Sequence, residues 1–138
     1  MRTLHFGLRV TDVDTSLAFY TAVGYEVVGR VPETPLGALT MLKLPDDEFV
    51  TIELVHDPTA GEREVGTGLS HFVIMVESMD ATIAALSARG IDVDKPTSPD
   101  DSDDFRLTWI VDPDGNRIEL VQWPAGHADG MTAADLAD

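Results

Sequence analysis

Laid over itself at a displacement of 66 residues, this chain repeats without a gap, and nothing else in it limits the possible folds so tightly. His5-Phe6 falls on His71-Phe72, Val10 on Val76, Asp14 on Asp80, Gly24 on Gly90 and Val27 on Val93. Toward the end of each copy, Ile52-Glu53-Leu54-Val55 falls on Ile118-Glu119-Leu120-Val121. Two copies of about 55 residues suit one pseudo-symmetric domain better than a solenoid, which needs three or more repeats. The domain divides into a module at 3–57, a linker at 58–68, a second module at 69–123 and a tail at 124–138.

Both copies have the same local pattern. Leu4 to Val10 alternates apolar and polar residues, the period of a strand with one buried face. Asp12 or Asp14 caps a helix over 14–23, with Leu17, Tyr20 and Val23 on one stripe and Gly24 as its stop. Strands follow near 25–31, 37–44 and 48–56. The second copy gives a strand at 69–76 and a helix at 80–89, capped by Ser78 or Asp80 and ended by Gly90. Strands near 91–94, 105–111 and 116–123 complete it, with Asp112-Pro113-Asp114-Gly115 as the last turn. The fold class is α+β, built from two βαβββ modules. The loop 95–104 is acidic and turn-rich, a candidate pocket rim. The tail, rich in Pro, Gly, Ala and Asp, is expected to be mobile or draped on a neighbour.

Composition excludes several function classes. There is no cysteine, so disulfides and thiolate metal sites are ruled out, and a metal must be held by His, carboxylates, carbonyls or water. The formal charge is −16, with 25 acidic residues against nine basic ones. Such a surface repels nucleic acid and anionic membranes. No apolar run approaches the roughly 18 residues of a membrane span, and MRTLHFGLRV lacks the apolar core of a signal peptide. A soluble, cytoplasmic protein is the expectation. No phosphate loop or nucleophile elbow is present.

Strand alternation then sorts the polar residues. His5, Gly7 and Arg9 share one face of the first strand, opposite Leu4, Phe6, Leu8 and Val10. Glu53 opposes Ile52 and Leu54, Glu119 opposes Ile118 and Leu120, and His71 opposes Phe72. With the apolar faces packed on the helices, His5, Glu53, His71 and Glu119 lie on the other side, at equivalent positions of both copies. A carboxylate in an apolar strand is costly unless paired or coordinated. Two imidazoles and two carboxylates suit a borderline divalent cation and balance its charge. The residues alone leave two readings open: a metal site, or His and Glu kept by duplication for packing and surface roles. His56 and His127 fall outside the pattern and read as surface or tail residues. Phe105 and Trp109 share the face of Leu107 and either line a pocket or pack in the core.

The run LHFGLRVTDVDTSLAFYTAVGYEVVGR resembles the opening of glyoxalase I (lactoylglutathione lyase), and GTGLSHFVIMV and DPDGNRIELVQ resemble its later signatures. The broader group is the vicinal-oxygen-chelate superfamily, and the resemblance spans residues 2–123. It implies a curved mixed sheet with helices on the outer face and metal ligands at His5, Glu53, His71 and Glu119. It also implies one divalent ion per site, nickel or zinc, with cobalt, iron or manganese as alternatives. Extradiol dioxygenases and fosfomycin-resistance enzymes of the superfamily have no ligand at the Glu53 position, and methylmalonyl-CoA epimerases carry Gln there.

The implied reaction isomerises the thiohemiacetal of a 2-oxoaldehyde such as methylglyoxal through a metal-stabilised enediolate. Glu119 is the implied proton carrier, with Glu53 able to act on the other face. The implied assembly is a homodimer with shared sites, His5 and Glu53 from one chain and His71 and Glu119 from the other. For the thiol, Arg9 matches a glutathione-binding Arg, and Trp109 is a candidate wall. Asp57 departs from the family, which has Asn there. An anion at that position disfavours glutathione's carboxylates, and the acidic loop 95–104 does not supply the usual basic residues. A different thiol, another metalloenzyme of the superfamily (epimerase or dioxygenase), or a small-molecule binding or resistance protein are the competing readings.

Overall fold

A computed structural model describes residues 1–137 and divides the chain into two compact units. The first comprises Met1–Gly68 with Asp112–Gly115, and the second comprises Leu69–Val111 with the chain from Asn116 onward. Each has a mixed sheet and one helix, so the α+β class holds.

In the first unit the order along the chain is β1 (Phe6–Arg9), α1 (Val13–Val23), β2 (Glu26–Val31), β3 (Ala38–Lys43) and β4 (Ile52–His56). The sheet order is β1-β4-β3-β2, with β1 parallel to β4 and the other pairs antiparallel. Asp12 is the cap of α1: its Oδ1 accepts the Thr15 N–H at 2.7 Å. Gly24 closes the helix at φ 129°, a conformation that favours glycine, and its N–H reaches the carbonyls of Tyr20 and Thr21. Leu8, Val10, Leu42, Ile52 and Leu54 form the core with Tyr20 and Tyr25. Tyr20 is fully buried, and its hydroxyl donates to Asp112 Oδ2 at 2.6 Å. Burial, and then the Asp112 charge, push the phenol far above its ordinary range, so it remains a donor.

The second unit contains β5 (Phe72–Met75), α2 (Met79–Ala88), β6 (Arg106–Val111) and β7 (Arg117–Gln122). The sheet order is β5-β7-β6, with β5 parallel and β6 antiparallel to β7. Ser78 caps α2 through the Ala81 N–H, and α2 packs on β7 with Met79 and Leu86 buried. The core is completed by Ile74, Ile91, Ile110, Ile118 and Leu120.

The structure corrects one element. The strand expected near 91–94 does not form. The segment instead touches β6 at separate points: Asp94 N–H donates to the Trp109 carbonyl, and Thr97 exchanges two backbone bonds with Leu107. Pro96, between them, has no N–H to continue a ladder. The β4 strand also starts later than expected, because Asp47 holds a turn by accepting the Leu44 N–H and the Thr51 hydroxyl. Among the described residues no helix is long and apolar enough to cross a membrane.

The tail is held on its own unit. His127 stacks on Trp123 with centroids 4.3 Å apart, and Trp123 stacks on Phe105. A single 3-10 turn at Ala133–Leu136 follows, and Asp135 binds His127 Nε2 at 2.7 Å.

Candidate metal centre

In the first unit, parallel pairing of β1 with β4 sets Gly7 opposite Glu53. Glu53 lies between buried Ile52 and Leu54 and points to the opposite face, with its side chain 15% exposed. His5 stands one residue ahead of β1, on the Gly7 face, and is tied in by the Phe6 N–H bond to the Thr51 carbonyl. Its Nε2 is 3.4 Å from Glu53 Oε2.

The second unit repeats this arrangement. Parallel pairing of β5 with β7 sets Val73 opposite Glu119, and His71 precedes β5. His71 Nε2 is 3.3 Å from Glu119 Oε2, whose side chain is 17% exposed. His71 Nδ1 is 2.9 Å from the Ser70 hydroxyl. Either neutral tautomer satisfies that contact; the one protonated at Nδ1 would present the Nε2 lone pair to a metal ion. Trp109, opposite Glu119 in the β6/β7 ladder, presents an edge to the imidazole, with centroids 5.1 Å apart. The Arg117 guanidinium lies over the Trp109 ring at 4.2 Å from its centroid.

The separations fit shared coordination better than a closed ion pair. A charge-assisted N–H···O bond is about 2.7–2.9 Å long. Two donors each about 2.1 Å from one ion, at an angle of about 90–110°, stand about 3.0–3.4 Å apart. Both pairs fall in the second range. Each donates one imidazole nitrogen and one carboxylate oxygen, and each remains partly open to solvent. Among the described residues no three His, Asp or Glu side chains come together as a metal-binding group; each couple stands as a pair.

The other candidate residues separate. Trp109 joins the His71–Glu119 pair. Arg9 is exposed on β1 and paired in register with Val55. Asp57 follows β4, and its Oδ1 accepts the Thr59 hydroxyl and N–H at 2.7 and 2.9 Å. Those two bonds hold its carboxyl below the usual range, so it stays ionised. Phe105 does not accompany Trp109; it stacks on Trp123. Two residues without an assigned role beforehand now have positions beside the site, Ser70 and Arg117. Arg117 was detectable as the neighbour of Glu119 on the same strand face, and Ser70 as the residue adjoining His71.

The chain matches the family model of the Glyoxalase/Bleomycin resistance protein/Dioxygenase superfamily over residues 2–120. It is 32% identical over 124 residues to a probable lactoylglutathione lyase of Vibrio parahaemolyticus, covering 88% of this chain and 90% of that one. It is 29% identical over 124 residues to a probable chloroplastic lactoylglutathione lyase of Arabidopsis thaliana, covering 88% of this chain but only 35% of the longer plant protein. Among solved structures, the trypanothione-dependent glyoxalase I of Leishmania major superposes with a TM-score of 0.71 at 28% identity, covering 88% of this chain and 86% of that one.

Proposed function

The chain belongs to the Glyoxalase/Bleomycin resistance protein/Dioxygenase superfamily, and from that premise we propose that it is a metal-dependent lyase of the glyoxalase I kind, isomerising the thiohemiacetal of a 2-oxoaldehyde such as methylglyoxal. The observation that carries this reading is the pair of equivalent His–Glu couples, 3.4 and 3.3 Å across, at the same register position of two repeats. Several relatives at about this level of identity are named lactoylglutathione lyase.

We assign the ligand set to His5 and Glu53 of one chain and His71 and Glu119 of a second copy, in a homodimer with two shared sites. A divalent ion held there, nickel or zinc by its donors, would supply Lewis-acid polarisation to the two adjacent oxygens of the substrate. The remaining chemistry is done by side chains of this protein. Glu119 takes the proton from C1 of the thiohemiacetal and returns it to C2, while the hydroxyl proton passes from the C1 oxygen to the C2 oxygen. The C1 hydroxyl and C2 ketone thus become a C1 thioester carbonyl and a C2 hydroxyl, with no atom gained or lost. Glu53 addresses the opposite face of the same carbons. The Ser70 contact orients His71, and Trp109, with Arg117 over its ring, stands nearly perpendicular to the imidazole beside it.

For the thiol, Arg9 offers the positive charge that an anionic cosubstrate needs. Asp57, ionised and tied to Thr59, opposes a second carboxylate. A thiol less anionic than glutathione at that end fits this pair better. The Leishmania relative is described as trypanothione-dependent. A cytoplasmic location belongs to the same reading.

The test is turnover. Protein stripped of metal and reloaded separately with nickel, zinc and cobalt is offered methylglyoxal with glutathione and with other low-molecular-weight thiols. Thioester formation with at least one metal and thiol, abolished by Glu119→Gln, is the expected result. No thioester with any combination would remove the assignment. Tight binding of an aromatic ligand to metal-free protein would then favour a binding protein.

A further inference from the structure

We propose that the first unit carries a second small-molecule site, at the N-terminus of α1, for a compact zwitterion of the α-amino acid class. It is independent of the metal site and of the activity assigned above. A cavity of about 190 Å3 opens there, bounded by the start of α1, the 62–63 segment and the 113–114 turn, all within that unit.

Among the described residues, three buried side-chain polar atoms have no hydrogen-bond partner: Ser16 Oγ, Arg63 Nε and Asp114 Oδ2. All three residues line this one cavity. Buried polar atoms are rarely left unpaired, and three in one place call for something that pairs them. Ser16 is 1% exposed, so bulk solvent does not serve its hydroxyl.

The walls are braced independently of any ligand. Asp114 Oδ1 accepts the Thr11 N–H at 3.1 Å, and Thr11 Oγ1 accepts the Arg63 N–H at 2.8 Å. Asp12 caps the helix through Thr15. The unpaired atoms are therefore a donor (Arg63 Nε–H), an acceptor (Asp114 Oδ2) and a hydroxyl that serves as either. A simple anion would satisfy Arg63 and Ser16 but would meet the carboxylates of Asp12, Glu62 and Asp114. A simple cation would satisfy Asp114 and leave Arg63 Nε unmet, and among the described residues no three acidic or imidazole groups are placed to hold a metal ion. A molecule with a carboxylate at one end and an ammonium at the other meets all three demands. Its carboxylate accepts from Arg63 Nε–H and Ser16 O–H, near the positive end of α1, and its ammonium donates to Asp114 Oδ2 on the acidic side. At about 30 Å3 per water, the volume equals about six waters, which accommodates glycine, alanine or serine.

The test uses the full-length, 15N-labelled, metal-free protein, titrated with glycine, L-alanine and L-serine, and with acetate and methylammonium as half-ligands at matched pH and ionic strength. The expected result is saturable shifts of the Thr11–Ser16 and Asp114 amides by at least one amino acid, with each half-ligand at least tenfold weaker. Arg63→Gln is expected to weaken binding at least tenfold without changing the melting temperature, and Arg63→Lys to restore part of it. Should Arg63→Gln unfold the protein, Ser16→Ala provides the same comparison. No saturable shift, equal binding of the half-ligands, shifts centred on His71 and Glu119, or undiminished binding to a folded Arg63→Gln protein would each overturn the proposal and leave a water-filled cavity.

Discussion

Two residues of this chain depend on neighbours that the sequence presents differently. His71 and Ser70 are adjacent, and their contact is a matter of one rotamer; Tyr20 and Asp112 are far apart in sequence and meet through the fold. If Ser70 orients His71 for a metal, Ser70→Ala should weaken metal binding by about tenfold, the lower end of what orienting partners contribute. Competition against a chelator would measure it, and an unchanged affinity would mean that the serine only happens to lie there. Tyr20→Phe removes a buried donor from a carboxylate and should cost about 1.5–3 kcal/mol in a urea denaturation curve. The four candidate ligands were legible in the sequence because repetition and alternation both marked them: each His and Glu recurs at its counterpart and opposes apolar neighbours. The Tyr20–Asp112 bond was not. Tyr20 reads as one more apolar residue on a helix stripe, and nothing local marks which carboxylate its hydroxyl will find.

At the scale of elements, helices were read more faithfully than strand ends. The caps fixed the helices: Asp12 and Ser78 proved to be the capping residues and Asp14 and Asp80 first-turn acids. Strand bounds moved because hydrogen-bond partners, not alternation, decide where a ladder stops. The 91–94 segment has alternating Ile91 and Val93, yet Pro96 and the Thr97–Leu107 bridge leave it with scattered bonds. The tail is an element whose docking should depend on pH. The Ala128 carbonyl and then Asp135 raise the His127 pKa above its ordinary 6.5. The Thr132 N–H and then His127 lower Asp135 from 3.8 to about 2. A raised histidine contributes below its unfolded value and stops contributing as pH climbs through the folded one. A lowered carboxyl contributes above its unfolded value and stops as pH falls through the folded one. The clasp is therefore complete between about pH 4 and 6.5 and loosens on either side. Hydrogen exchange of peptides spanning 124–137, after correction for intrinsic rates, should show protection peaking in that window. His127→Ala should flatten the profile.

For the molecule as a whole, the repeat foretold that each His and Glu would recur at an equivalent position, and the structure adds the parallel pairing of the His-side strand with the Glu strand in both units. It did not foretell whether one chain or two would complete a proposed site, since equivalent halves can combine within a chain or between chains. Mixing settles that experimentally. One chain carrying His5→Ala and Glu53→Gln and another carrying His71→Ala and Glu119→Gln should each be inactive alone. If sites are shared across a twofold dimer, subunit exchange between them rebuilds one intact site per mixed dimer and should recover about a quarter of the unmutated activity. Sites confined to single chains would recover none.

The 112–115 turn has a practical corollary for anyone wishing to split this gene. It lies in the coding sequence of the second repeat, between β6 and β7, yet its residues belong to the first compact unit, where Asp112 receives the Tyr20 hydroxyl and Asp114 the Thr11 amide. A stop codon after Gly68 would remove both acceptors, leaving a fragment with the length of a unit but without two of its internal bonds. The two repeats are thus homologous in sequence without being exchangeable cassettes: shuffling, swapping or expressing one alone divides the chain at a point that the folded protein does not recognise as a border.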